Sequence, residues 1–409
     1  MTNNHIIRLT VFIMVVLMLA PLSAQEATDE PAPVDPAQAE DIIAATQQVI
    51  AYIQSNPDDV AIYCAFDGAP EFGVPAGNYT QNADEPFPLA SAYKTVILAE
   101  LTRQIDAGTV DPTTEVPLDG VNTYWLIGTD GGAHNLWLAT IEDGRTTVTI
   151  EEVAFAMMRY SSNAAPDYLL EEVLGYDGFS VLFEQLGVDS VSLPTGTFLS
   201  LFLAEDNHET GPVDTASLTP ETLAAERARL QDLYLTDTEW RTAELNYITE
   251  RIGNAGTDIE ADFDVFAQQS AFFLEYSPQG SAADMVAVMR AAYAGETFGA
   301  EAQAFMQQQL NWLFDVNPAN AQVYDGLGSK GGSLAGISTG VWYVQFAEGP
   351  NLELAVFYRD VPTGLWASWA VTGSNQVLEL RTFAFGEGCT TFDPLIDAPE
   401  STETPAADD

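Results

Sequence analysis

The stretch FPLASAYKTVILAEL (Phe87–Leu101) decides how the rest of the chain is read. It sets Ser91 and Lys94 three residues apart, at the start of a run whose apolar residues repeat with helical spacing. Residues at i and i+3 share a helix face, so the hydroxyl and the amine project together. Pro88, three residues before Ser91, suits a helix entrance. A serine there lies near backbone N–H groups and the positive end of the helix dipole. An amine kept neutral by burial and cationic neighbours can take the hydroxyl proton. An N-cap serine beside a surface lysine has the same spelling. Rarity weighs against that reading, because the 409-residue chain has two lysines and this is one of them.

The other, Lys330, lies in GLGSKGGSLAG (Gly326–Gly336). The glycines formally spell G-x-G-x-x-G, but a dinucleotide site needs a helix next, and strand-like sequence follows. A phosphate-binding P-loop is excluded because the lysine precedes the glycines. On an edge strand, glycines let backbone N–H groups approach a ligand, and Lys330 offers a cation to a carboxylate. A glycine-rich bulge with a solvent lysine is the alternative. Between the two lysines, YSSN (Tyr160–Asn163) separates two helical runs. It reads either as a turn with an N-cap, or as a relay hydroxyl on Ser161 and a substrate-orienting amide on Asn163.

In order and approximate spacing, SAYK, SSN and KGG resemble the S-x-x-K, S-D-N and K-T-G motifs of class A β-lactamases and penicillin-binding proteins. The flanks, FPLASAYKTVILAEL and SKGGSLAGISTGVWYV…LELAVFYRD, are similar to that family's nucleophile helix and last strands, and the likeness runs from about Asp59 to Leu380. The resemblance implies an α+β fold: a five-stranded antiparallel sheet flanked by helices, with an all-helical subdomain inserted. It implies Ser91 as acylated nucleophile, Lys94 as base, Ser161 as proton relay and Lys330 as partner to that serine and to the substrate carboxylate. Asn163, Gly332 and Ser333 would bind substrate, the N–H groups of Ser91 and Ser333 forming an oxyanion hole. Tyr124 or Trp125, in the aromatic stretch Asn122–Leu138, would line the cleft. Its substrate would be a small molecule, a β-lactam or a D-Ala-D-Ala-like peptide, handled without metal or cofactor by a monomer. Three departures stand out. Ser162 replaces the usual Asp, and Gly331 the usual Thr or Ser. Where a class A β-lactamase keeps the glutamate that activates the deacylating water, PTGTFLSLF (Pro194–Phe202) has no carboxylate. Glu205, Asp206 and Glu209 follow and read as solvated loop charges. No arginine occurs in ISTGVWYV, which leaves Arg359 as the substitute carboxylate binder. The implied activity is that of an exported serine hydrolase, β-lactamase-like, which attacks a β-lactam or related amide through a Ser91 acyl-enzyme; the departures put fast deacylation, not acylation, in question. A D,D-peptidase, a slow-turnover penicillin binder and a catalytically weak binding protein are the alternatives.

Outside this region, Leu9–Ala20 is an apolar run of twelve behind Arg8, short for a membrane span. With a cleavage point after Ala24 it reads as a signal peptide over 1–24, hence an exported protein. An acidic Pro-rich linker follows over 25–38, then the hydrolase domain over 39–394 with a helical insertion about 198–275. The acidic tail 395–409 reads as disordered. Against 60 acidic residues stand 13 Lys+Arg, a formal net charge of −47, which opposes nucleic-acid binding. Three histidines are too few for a histidine metal cluster. Cys64 and Cys389 either form a disulfide joining the first strand to the tail or remain two buried thiols. The hydropathy period predicts strands in STGVWYVQFAEGP and NLELAVFYRDVP, a Thr149–Glu152 capping box, and one closing helix in GLWASWAVTGSNQVLEL.

Overall fold

The computed structural model describes residues 36–70, 73–255, 259–347 and 349–396. The proposed signal peptide, the linker up to residue 35 and the tail from 397 lie outside them. Five strands, β1 (Val60–Phe66), β2 (Gly77–Gln81), β3 (Tyr324–Leu334), β4 (Ile337–Phe346) and β5 (Asn351–Tyr358), form one antiparallel sheet in the order β2-β1-β5-β4-β3. The first and last strands of the chain thus meet, Val60 opposite Tyr358.

The sheet is covered on both faces, so its strands read as nearly continuous apolar runs. The period of two still sorts them. On β4, Ile337, Val341 and Tyr343 face one core, while Trp342, Val344 and Phe346 face the other; on β5, Ala355 and Phe357 oppose Leu354 and Val356.

Ten helices carry labels here: α1 (Pro36–Ser55), α2 (Lys94–Asp106), α3 (Phe198–Glu205), α4 (Pro220–Thr236), α5 (Thr238–Asn254), α6 (Ile259–Tyr276), α7 (Ala282–Tyr293), α8 (Ala300–Leu310), α9 (Thr363–Thr372) and α10 (Ser374–Phe383). Val49 and Ile53 of α1 and Leu378 and Phe383 of α10 pack on one face of the sheet. Helix α7 packs on the other, where Tyr293 stacks on Tyr343 with ring centroids 4.8 Å apart. Helix α2 runs through that second core, and its residues Thr95–Thr102 are all buried. The inserted region comprises α3–α6, and α6 returns to the sheet: Phe266 lies 4.8 Å from Trp366, and Ser270 abuts Gly336 in the β3–β4 turn.

Thr149 and Glu152 form the expected capping box. The expected closing helix is instead two, α9 and α10, broken at Gly373, which adopts φ +65°. Cys64 and Cys389 are joined in a disulfide between β1 and the turn Gly388–Phe392. Glu205 and Asp206 are buried rather than solvated: Glu205 accepts from Gln269, and Asp206 is ion-paired with Arg251 and accepts from the Tyr247 hydroxyl. They sit where the insertion folds on itself, which a linear reading of a polar run does not reveal. Glu209 is exposed and holds Arg229.

Candidate active site

Ser91 lies in a 3₁₀ turn, Ala90–Tyr93, that runs directly into α2. Ala90, just before it, has φ +47°, a sparsely populated conformation for a residue with a side chain. The edge strand β3 crosses this turn closely. A Cβ on Gly332 would stand 2.6 Å from the Ser91 nitrogen and 2.8 Å from that of Ala92, so only glycine permits the approach. The crossing brings Lys330, Gly332 and Ser333 to the Ser91 end of α2. The Ser333 hydroxyl donates to Ile337 O and accepts from Trp366 Nε1, both at 3.2 Å.

Ser161 ends the helical run Ile150–Tyr160 with φ +66°. This left-handed residue reverses the chain and sets its oxygens between the two lysines. Lys330 Nζ donates to Ser161 Oγ at 2.9 Å and to Gly331 O at 2.6 Å. Lys94 Nζ has four oxygens around it: Ser161 O at 2.7 Å, Asn163 Oδ1 at 2.7 Å, Ser91 Oγ at 3.1 Å and Ser161 Oγ at 3.2 Å. The Asn163 amide is oriented by its Nδ2, which donates to Thr129 O at 3.0 Å. The two shortest contacts of Lys94 are to oxygens that can only accept, so they take two N–H bonds. The remaining tetrahedral position faces the hydroxyls of Ser91 and Ser161. On a neutral amine that position is a lone pair.

Burial drives the Lys94 amine from 10.5 down to about 7, against the pull of Asp130 and Asp167. Burial, and then the charge of Lys94, holds Lys330 well below its ordinary value. Asp167 is pushed up to about 7 by burial, although both of its oxygens accept N–H bonds, from Phe198 and Leu199, at 2.7 Å. The other nearby carboxylate, Asp130, is raised by burial and accepts from the Gly132 and His134 amides at 3.1 Å. The Phe198 ring, which Asp167 helps to place, lies 5.3 Å from Lys94 Nζ. It occupies the flank of the amine within the stretch that the sequence reading singled out for lacking a carboxylate.

The structure therefore brings Ser91, Lys94, Ser161, Asn163, Lys330, Gly332 and Ser333 together. It places three other candidates differently. Tyr124 is buried, with its hydroxyl donated to Glu172 at 2.7 Å and its ring edge-on to Tyr168, so it is core rather than cleft wall. Trp125 packs on His134, 5.3 Å between centroids, and His134 Nδ1 in turn lies 2.9 Å from Ser162 Oγ. Arg359 is engaged elsewhere, with Asp59, Asp58 O and the Phe87 ring. Sequence reasoning missed Thr129, Asp130 and His134. The signal was the TDGG stretch (Thr129–Gly132), whose two glycines both take positive φ and fold Asp130 back onto its own backbone. His134 is buried and neutral, driven by that burial to about 4.

Residues 47–239, just under half of the chain, match the Beta-lactamase2 model of the beta-lactamase enzyme family. That span includes Ser91, Lys94, Ser161 and Asn163; Lys330 lies beyond it. Among solved structures, the chain is similar to a β-lactamase from Sphaerobacter thermophilus, at 17% identity and TM-score 0.49, covering 84% of this chain and 99% of that one. It is similar to a class A β-lactamase from Mycobacterium abscessus at 14% identity and TM-score 0.46, covering 83% and 99%. It is also similar to PBP-A, solved as an acyl-enzyme complex with penicillin G, at 12% identity and TM-score 0.45, covering 83% and 97%. No curated protein matches the sequence.

Proposed function

The chain is β-lactamase-like, matching the beta-lactamase enzyme family over residues 47–239, and on that premise we propose that it is an exported serine acyl-transfer enzyme. Its Ser91 attacks a β-lactam or a related cell-wall peptide amide and holds the acyl group for long times. The observation that carries this reading is the set of four oxygens around Lys94 Nζ. With two N–H bonds committed to Ser161 O and Asn163 Oδ1, its lone pair faces the Ser91 hydroxyl.

The Ser91 proton passes to Lys94 Nζ as Oγ bonds to the carbonyl carbon. Collapse of the tetrahedral intermediate breaks the C–N bond, and the departing nitrogen takes the Ser161 proton, which a lysine ammonium replaces. Release of the acyl group needs a base for water. The two carboxylates whose charge Lys94 feels are engaged with backbone N–H groups, and Phe198 covers the amine's flank. These contacts favour the slow binder over a fast β-lactamase. The apolar segment at residues 9–20 and the disulfide support an oxidising, extracytoplasmic setting.

Intact-mass measurement after exposure to penicillin G tests the proposal. A persistent adduct of one drug mass is expected on the wild type and none on Ser91→Ala. No adduct on the wild type, or an adduct that survives Ser91→Ala, would refute it.

A further inference from the structure

The loop that presents Phe198 to Lys94 has a second side. There a cavity of about 320 Å³ is lined by Glu171, Tyr176, Thr195, Ser200 and, from α4, Arg227. That volume is at the lower end of small-ligand sites. Arg227 is only 8% exposed. It donates to three neutral oxygens: Nε to Ser200 Oγ at 3.1 Å, Nη1 to Thr195 Oγ1 at 3.0 Å and Nη2 to Thr197 O at 2.9 Å. A guanidinium has five N–H donors, so one remains on each terminal nitrogen.

Eight other arginines pair with carboxylates. Arg227, among the described residues, has no such partner. Asp167, whose charge it feels, gives both oxygens to the Phe198 and Leu199 amides. A buried cation with no carboxylate in direct contact is costly, and a carboxylate is the group that matches a guanidinium fork. A bare anion would also meet Glu171. The Oε1 of Glu171 accepts from the Tyr176 hydroxyl at 2.6 Å and from Gln231 Nε2 at 3.1 Å. A ligand with an ammonium beside its carboxylate satisfies both ends of the cavity. We infer that this cavity binds a small amino-acid zwitterion, its carboxylate on Arg227 and its ammonium towards Glu171.

The test is the thermal midpoint of the whole chain at constant ionic strength, titrated with L-alanine up to about 100 mM, with acetate as the carboxylate-only probe. This readout does not depend on Ser91 chemistry. L-Alanine should raise the midpoint saturably and more than acetate does. The effect should vanish in Ala228→Trp, which fills the cavity mouth from an exposed position on α4 without altering the guanidinium. Glu171→Gln should weaken apparent affinity at least tenfold. A rise that never saturates, a rise retained in Ala228→Trp, or acetate matching L-alanine would each overturn the inference.

Discussion

At the scale of single residues, the proposed acylation turns on the protonation of Lys94. Its active form is the free amine, and burial lowers the ammonium from 10.5 to about 7. The acylation rate constant should therefore climb roughly tenfold per pH unit below about 7 and level off above it. Stopped-flow mixing with a fluorescent penicillin checks the profile, and a flat profile from pH 5 to 9 would remove Lys94 as the base. Lys94→Ala should slow acylation by about 10²–10⁴-fold while leaving substrate binding largely intact. In the proposed cycle Phe198 bears on the other half, release of the acyl group. Phe198→Glu would set a carboxylate beside the amine where a ring now lies. It should shorten the acyl-enzyme lifetime by about 10²-fold and raise chromogenic cephalosporin turnover, measured against the wild type.

At the scale of elements, the closeness of β3 to the nucleophile's turn is the critical contact. Gly332→Val places branched carbon against the Ser91 and Ala92 nitrogens. Acylation should fall by more than about 10²-fold while circular dichroism stays native, because β3 is the sheet's edge and can shift outward. How far such elements could be read from the sequence depended on how local their cause is. Strands β4 and β5 were legible because alternate residues serve opposite cores. SAYK, SSN and KGG were legible because each requires particular residue types. The left-handed turn at Ser161 was not, because serine has no marked preference for it; the surrounding packing imposes it. The insertion was legible as helical, but the return of α6 to the sheet was not, because its partners there, Gly336 and Trp366, are distant in sequence. Tyr124 looked like a cleft residue because aromatic residues serve walls and cores equally; only Glu172 and Tyr168 decide the matter.

At the scale of the whole molecule, one bond ties the end of the fold to its first strand. The Cys64–Cys389 link spans 325 residues and joins β1 to the last described turns. In the chain-entropy account, closing so long a loop stabilises by on the order of 5–6 kcal/mol. Reduction should accordingly lower the denaturation midpoint by several degrees, and Cys64→Ser should do the same without further effect of reductant. The burial of both lysines has another consequence. Lys94 is 0% and Lys330 4% exposed, and the chain has no third lysine. Amine-selective reagents therefore find no side chain to modify on the folded surface. Treated with an N-hydroxysuccinimide ester, the native protein should take up label only at its α-amino group, and two further labels should appear together on unfolding. The mass spectrum of a labelled sample then counts unfolded molecules directly.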